Sequence, residues 1–145
     1  GNIMIYFFNQ YKYLIIPFVL WFGIQMCKVL YEYFTEGKWN IKRFMGAGGM
    51  PSSHSAVVVS LATLIGKHIG VDEPIFALSA IFAFITMYDA AGVRRAVGEQ
   101  AHILNKVVKE VKDMTPAEFL QEKTGHTPVQ VATGALIGLA AGLIF

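Results

Sequence analysis

The stretch GGMPSSHSAVVV, residues 48–59, decides how this chain is read. Two glycines and a proline lead into three serines and a histidine, and an apolar run follows at once. Proline is favoured in the first turn of a helix, where its missing N–H costs nothing. Pro51 is therefore expected to open a helix whose exposed backbone N–H groups and positive end face the polar cluster. Such an end attracts phosphate. Gly46, Gly48 and Gly49 let the preceding backbone wrap closely around an anion. Ser52 and Ser53 add hydroxyls, and His54 adds a titratable proton. Serines that merely cap a helix, beside an interfacial histidine, are the plainer alternative.

Outward from this stretch the chain is poor in charge. Of its 145 residues 54% are hydrophobic and 15% charged, against about 25% charged in soluble domains. One domain is expected, with lipid rather than water as its main solvent. A net charge of +2 is too small to suggest nucleic acid as a partner. The single cysteine, Cys27, excludes an internal disulfide and a cysteine-rich metal site, and reads as a small buried hydrophobe. No small-residue cleavage site ends Leu14–Trp21, so this run reads as part of a span rather than a cleavable leader.

Four apolar segments approach the ~20 residues that cross a bilayer. They are placed at 14–34, 51–69, 74–93 and 127–145. Four near-spanning runs leave a soluble bundle too little polar surface. The expected fold is an all-α integral membrane helical bundle of about four spans plus an interfacial amphipathic helix, in a single domain over 1–145. The connection 94–124 supplies that helix: Val97, Ala101, Leu104, Val108 and Val111 recur at helical spacing, with Arg95, Glu99, His102 and Lys106 on another stripe. Thr115 and Glu118 read as a capping box opening a short further helix.

Four spans place both termini on one side. Lys38, Lys42, Arg43, Ser52, Ser53, His54, Asp89, Arg94, Arg95 and His126 then share the other. Excess lysine and arginine make that side cytoplasmic. Gly134, Gly138 and Gly142 form a stripe that admits a close helix, either from this chain or from a second copy in a homo-oligomer.

A second helix start, GHTPVQ at 125–130, repeats the first arrangement. Thr127 reads as its N-cap, Pro128 as its first residue and Gln130 as the close of a capping box. His126 stands just outside it, on the same side as His54. Two such histidines among basic residues point to acid–base or nucleophilic chemistry on phosphate. Asp89 lies inside an apolar segment, where a carboxylate is costly and has a pairing or functional role. Arg94 and Arg95 follow, and a guanidinium suits phosphate because its fork binds two oxygens. His68 and His102 have no such company and read as surface residues.

Three strings carry a resemblance: GGMPSSHSA at 48–56, MYDAAGVRRAVGEQAHILN at 87–105 and GHTPVQVATGALIG at 125–138. They resemble the divergent type-2 phosphatidic acid phosphatase family, in a superfamily that includes lipid phosphatases, bacterial acid phosphatases and vanadium-dependent haloperoxidases. The resemblance implies metal-independent attack on a lipid phosphate or diphosphate, with no cofactor, by a histidine that becomes phosphorylated. Pro51-Ser52-Ser53-His54 is similar to its second motif, with Ser53 in place of glycine, and implies that His54 protonates the leaving oxygen. His126 is similar to the nucleophile. Lys38 and Arg43 are similar to the first motif at a shorter spacing, as phosphate-binding cations. The third motif departs: Gln130 stands where an aspartate orients the nucleophile, and the preceding arginine is absent. Asp89 is expected to supply the carboxylate, and Arg94 or Arg95 the guanidinium. The competing expectations are a non-catalytic module that binds an anionic lipid or phosphate, a structural membrane subunit, and a metal site of His54, Asp89 and His126.

Overall fold

The computed structural model describes residues 1–37, 39–46, 48–111, 120, 122 and 125–145, without the side chains of Lys42, Arg43 and Val111. Among these residues every regular element is helical: α1 (Asn2–Glu36), a 3₁₀ turn (Ile41–Met45), α2 (Ser53–His68), α3 (Pro74–Ala91), α4 (Val93–Val111) and α5 (Pro128–Ile144). The expected all-α helical membrane fold is therefore present. Helix α1 starts well before residue 14, because Ile3 to Phe8 continue its apolar composition. It and the stretch Pro74–Glu110 are long and apolar enough to cross a membrane, whereas α5 is shorter. The expected capping box at Thr115 and Glu118 lies outside the described residues.

Helix α5 packs most closely on α2, and α2 also lies against α1 and α3. Small residues make this possible. A Cβ on Gly134 would meet the Ser52 carbonyl oxygen at 2.2 Å, and one on Gly138 would meet that of Ala56 at 2.4 Å. A Cβ on Gly142 would meet the Thr63 Cβ at 2.5 Å. Of the two partners the glycine stripe allows, it is α2 of the same chain that fills it. Large exposed apolar side chains cover the outside, Phe18, Phe22, Phe82, Phe84 and Leu136 among them, as lipid-facing surfaces require. Cys27 is exposed on this outer surface rather than buried, because the buried stripe of α1 runs through Ile24, Gln25, Lys28 and Val29.

The segment after α1 folds back along it. Trp39 stacks on Tyr33, with ring centroids 4.4 Å apart, and the Asn40 amide donates to Glu32 Oε1 at 3.0 Å. Phe44 reaches Trp21 and Phe22, each 5.4 Å away between centroids. These rings lie four turns back from Glu36, about 21 Å along the axis. The chain then reverses: the buried Gln25 donates from Nε2 to the carbonyls of Phe44 and Gly46, and Lys28 Nζ donates to that of Gly48 at 3.3 Å. Helix α2 thus begins level with Lys28, not with the end of α1. At the far end α2 and α5 finish together, where Lys67 Nζ donates to the Leu143 carbonyl at 2.8 Å.

Between α3 and α4 the chain is almost continuous, and the Gly92 N–H still donates to the Tyr88 carbonyl at 2.9 Å. Among the described residues, α3 is the one helix that α4 packs against. Val97, Ile103, Leu104 and Val107 of α4 are exposed, which suits the expected interfacial helix.

Candidate active site

Two backbone hydrogen bonds and one close approach gather the site. The Ser52 N–H donates to the Gln130 carbonyl at 3.1 Å and ties the start of α2 to the start of α5. The His126 N–H donates to the Ala90 carbonyl at 3.0 Å and ties α5 to the end of α3. Gly125 lies so close to the backbone of Arg94 and Arg95 that a Cβ there would sit 2.2 Å from the Arg95 Cα. Helix ends distant in sequence therefore converge, and His54 and His126 come to ring centroids 6.3 Å apart.

Local chemistry explains each placement. Helix α2 begins at Ser53, not at Pro51 as its sequence suggests. The cap is Ser52, whose backbone is extended and whose Oγ accepts from the Ser55 N–H at 3.3 Å and from the Ser55 hydroxyl at 3.0 Å. Pro51 precedes the cap instead of following it. Helix α5 begins as expected, with Thr127 as N-cap and Pro128 first. Gln130 Oε1 accepts from the Thr127 N–H at 3.0 Å, and Thr127 Oγ1 accepts from the Gln130 N–H at 3.3 Å. Gln130 closes a capping box, so its side chain serves the helix end rather than holding the His126 ring.

The neighbouring serines differ. Ser52 is consumed by its cap, whereas the Ser53 hydroxyl is fully buried with no hydrogen-bond partner. His126 is 1% exposed, and neither of its ring nitrogens has a partner. His54 Nδ1 is also buried without one. Unsatisfied buried polar atoms are uncommon, and here several occur on residues at the converging helix starts, as a site for a polar ligand requires. Burial is the main cause that lowers the proton affinity of His126 below the ordinary imidazole value, and the Lys28 charge adds to it. The nearby Gln130 side chain and Gly49 backbone oppose this shift, although neither ring nitrogen is within hydrogen-bonding geometry of a partner. A cavity of about 480 Å³ opens beside His126, lined also by Gly98, His102, Ile103 and Thr127.

Asp89 Oδ2 accepts from Arg94 Nε at 2.9 Å, and both side chains are nearly half exposed. The charges of Arg94, Lys28 and Asp89 all reach His54. Asp89 thus sits in the cluster, with its carboxylate on Arg94. Arg95 Nε lies 2.9 Å from Glu99 Oε1, and both residues line the same cavity as His126. The backbone of Arg43 lies in the 3₁₀ turn, its side chain is outside the description, and Lys38 lies outside the described residues altogether. Gly49 adopts a φ of +91°, which an L side chain rarely takes. Among the described residues no three His, Cys, Asp or Glu side chains converge as metal ligands.

Lys28 and Gln25 are residues of this region that the sequence analysis does not single out. Their signal was the i, i+3 spacing, which puts both on one face of a lipid-bound helix.

A model of the divergent PAP2 family matches residues 9–141. The "Uncharacterized membrane protein YuiD" of Bacillus subtilis (strain 168) is 41% identical over 133 residues, covering 83% of this chain and 84% of that protein. No solved structure matches the chain.

Proposed function

Because the chain belongs to the divergent PAP2 family, we propose that this membrane protein hydrolyses a lipid phosphate monoester or diphosphate through a phosphohistidine, without a metal. One observation carries the reading: the two family-like histidines, brought from separate helix starts to 6.3 Å between ring centroids, keep buried nitrogens unpartnered. A phosphoryl group between the rings would meet a nucleophile on one side and a proton donor on the other. His126 attacks phosphorus as the neutral imidazole that burial favours, and the bond to the leaving oxygen breaks as His54 passes its proton to that oxygen. Water then attacks the phosphohistidine while giving a proton to His54; the P–N bond breaks, phosphate leaves, and both histidines are restored. Arg94, the Ser53 hydroxyl and backbone N–H groups at the α2 start stabilise the charged transition state. Lys38 and Arg43 join them on the strength of the motif resemblance. In this reading the site lies on the side rich in lysine and arginine, which the positive-inside rule assigns to the cytoplasm.

A second reading has its own support. Among the described residues no carboxylate bonds to His126: the Gln130 amide closes a capping box, and Asp89 Oδ2 accepts from Arg94. A site without that partner suits binding of phosphate lipid without turnover.

Phosphate release by the purified protein separates the two. Phosphatidic acid, phosphatidylglycerol phosphate and polyprenyl mono- and diphosphates would be offered with chelator present. Release that His126→Ala abolishes supports the hydrolase. Binding without release on every substrate supports the binding module.

A further inference from the structure

We propose that Lys28, deep on α1, is the buried cation that receives the phosphate group, and that the Gly48 carbonyl holds it in place until that group arrives. The proposal rests on the reading that the site takes a phosphate monoester, but not on turnover.

The two residues that the motif resemblance offers, Lys38 and Arg43, follow α1 in sequence. Lys28 precedes its end by two turns, about 12 Å along the axis. The backward fold of residues 39–46, which brings Gly48 to Lys28, makes this depth the relevant one. Phe44 descends to Trp21 and Phe22, and the chain climbs back until Gly48 meets Lys28 Nζ at 3.3 Å. From there six residues lead to His54. The lysine and the histidine pair therefore share one level of the bundle, and the Lys28 charge reaches both His54 and His126.

Burial separates Lys28 from the other cations. It is 5% exposed, while the Arg94 and Arg95 side chains are 44% and 47% exposed. An ammonium shielded from water acts on a nearby dianion far more strongly than an exposed guanidinium does. A lysine kept inside a lipid-facing helix is also costly, and such residues mark functional sites. The histidine site holds the unpartnered hydroxyl of Ser53, next in sequence to His54, and both unpartnered nitrogens of His126, all in side chains at least 99% buried. They leave donors and acceptors open where a phosphate would sit. The short helices α2 and α5, 16 and 17 residues long, fit the same picture. Each spans about 25 Å, less than the ~30 Å hydrocarbon core, so the phosphate is drawn below the membrane border to reach their starts.

Lys28→Gln is the decisive variant, because glutamine keeps a polar N–H donor on a slightly shorter side chain and removes the charge. Binding would be measured by calorimetry in detergent, with short-chain phosphatidic acid in one arm and inorganic phosphate in the other. The expected result is an affinity loss of about thirtyfold in Lys28→Gln and of threefold or so in Lys28→Arg. Lys67→Gln, at the opposite end of the bundle, is expected to bind like the native chain. Loss in both arms means that phosphate itself is recognised; loss confined to the lipid arm means that the lipid chain must anchor it. Either supports the proposal. Native affinity in Lys28→Gln overturns it. A native protein that binds neither ligand overturns it together with the phosphate reading, whereas binding without turnover ends the hydrolase reading alone. If Lys28→Gln fails to fold, the native protein decides by ¹⁵N NMR. A Lys28 Nζ resonance that moves on saturation with phosphatidic acid supports the proposal, and one that stays fixed while lipid binds overturns it.

Discussion

His126 and His102 belong to the same chain and the same polar side of the bundle, yet their surroundings give them opposite meanings. His126 is buried where α2, α3 and α5 meet, with both ring nitrogens unpartnered. His102 lies exposed on α4, its Nδ1 2.8 Å from Glu122 Oε2. Glu122 also accepts from the Asn105 amide at 2.8 Å, and that hydrogen bond, followed by the one to His102, holds its carboxyl below the usual range. Charges on α4 are thus matched with neighbours in water. At the α2–α5 seam, close packing leaves polar atoms open. A histidine is informative for what it lacks more than for where it stands in the sequence.

The comparison breaks most visibly in activity. His126→Ala is expected to reduce phosphate release by about 10⁴-fold or more, as loss of a nucleophile does. Equal losses in His126→Ala and His102→Gln would erase the distinction between the two sites. Stability tests the seam itself. Gly138→Leu forces a side chain into the Ala56 backbone and is expected to destabilise the protein by about 3 kcal/mol. Gly23→Ala, whose Cβ meets nothing within 4 Å, is expected to be neutral or stabilising by up to about 1 kcal/mol. Thermal unfolding in detergent compares the two.

Asp89→Asn probes the cluster's edge. It leaves Arg94 without its carboxylate, and turnover is expected to fall about tenfold. Unchanged turnover would remove Asp89 from the site. The effect of pH is smaller. His126 binds its proton less readily folded than unfolded, so the unfolded chain takes up that proton first as pH falls. Its contribution to stability is full above the ordinary imidazole value near 6.5 and is lost as pH drops below it. Melting temperatures at pH 7 and pH 5 should therefore fall a few degrees further for the native chain than for His126→Gln. His102→Gln is expected to change turnover by about twofold at most, since exposed ion pairs contribute little. A larger effect would bring the α4 side of the 480 Å³ cavity into the site.

Much of this arrangement is legible in the sequence. Apolar run lengths reveal the helices, and proline with a hydroxyl residue marks the starts of α2 and α5 within two residues. Gly134, Gly138 and Gly142 announce a close contact, and only packing shows that α2 makes it. His54 and His126 are recognisable because each stands beside a marked helix start. Lys28 and Gln25 are not, because their importance depends on the chain folding back after α1. No local pattern at 39–48 specifies that path; contacts from Trp21 to Lys28 create it. The role of Gln130 is likewise decided by geometry, since the same side chain could cap a helix or face an imidazole.

Trapping the covalent intermediate tests the central claim most directly. The native protein would be mixed with labelled phosphatidic acid, quenched in alkali to preserve phosphohistidine, and digested for mass spectrometry. The account predicts label on His126, absent in His126→Ala and slow to appear in His54→Gln. Phosphate release with no label on His126, undiminished in His126→Ala, would contradict it.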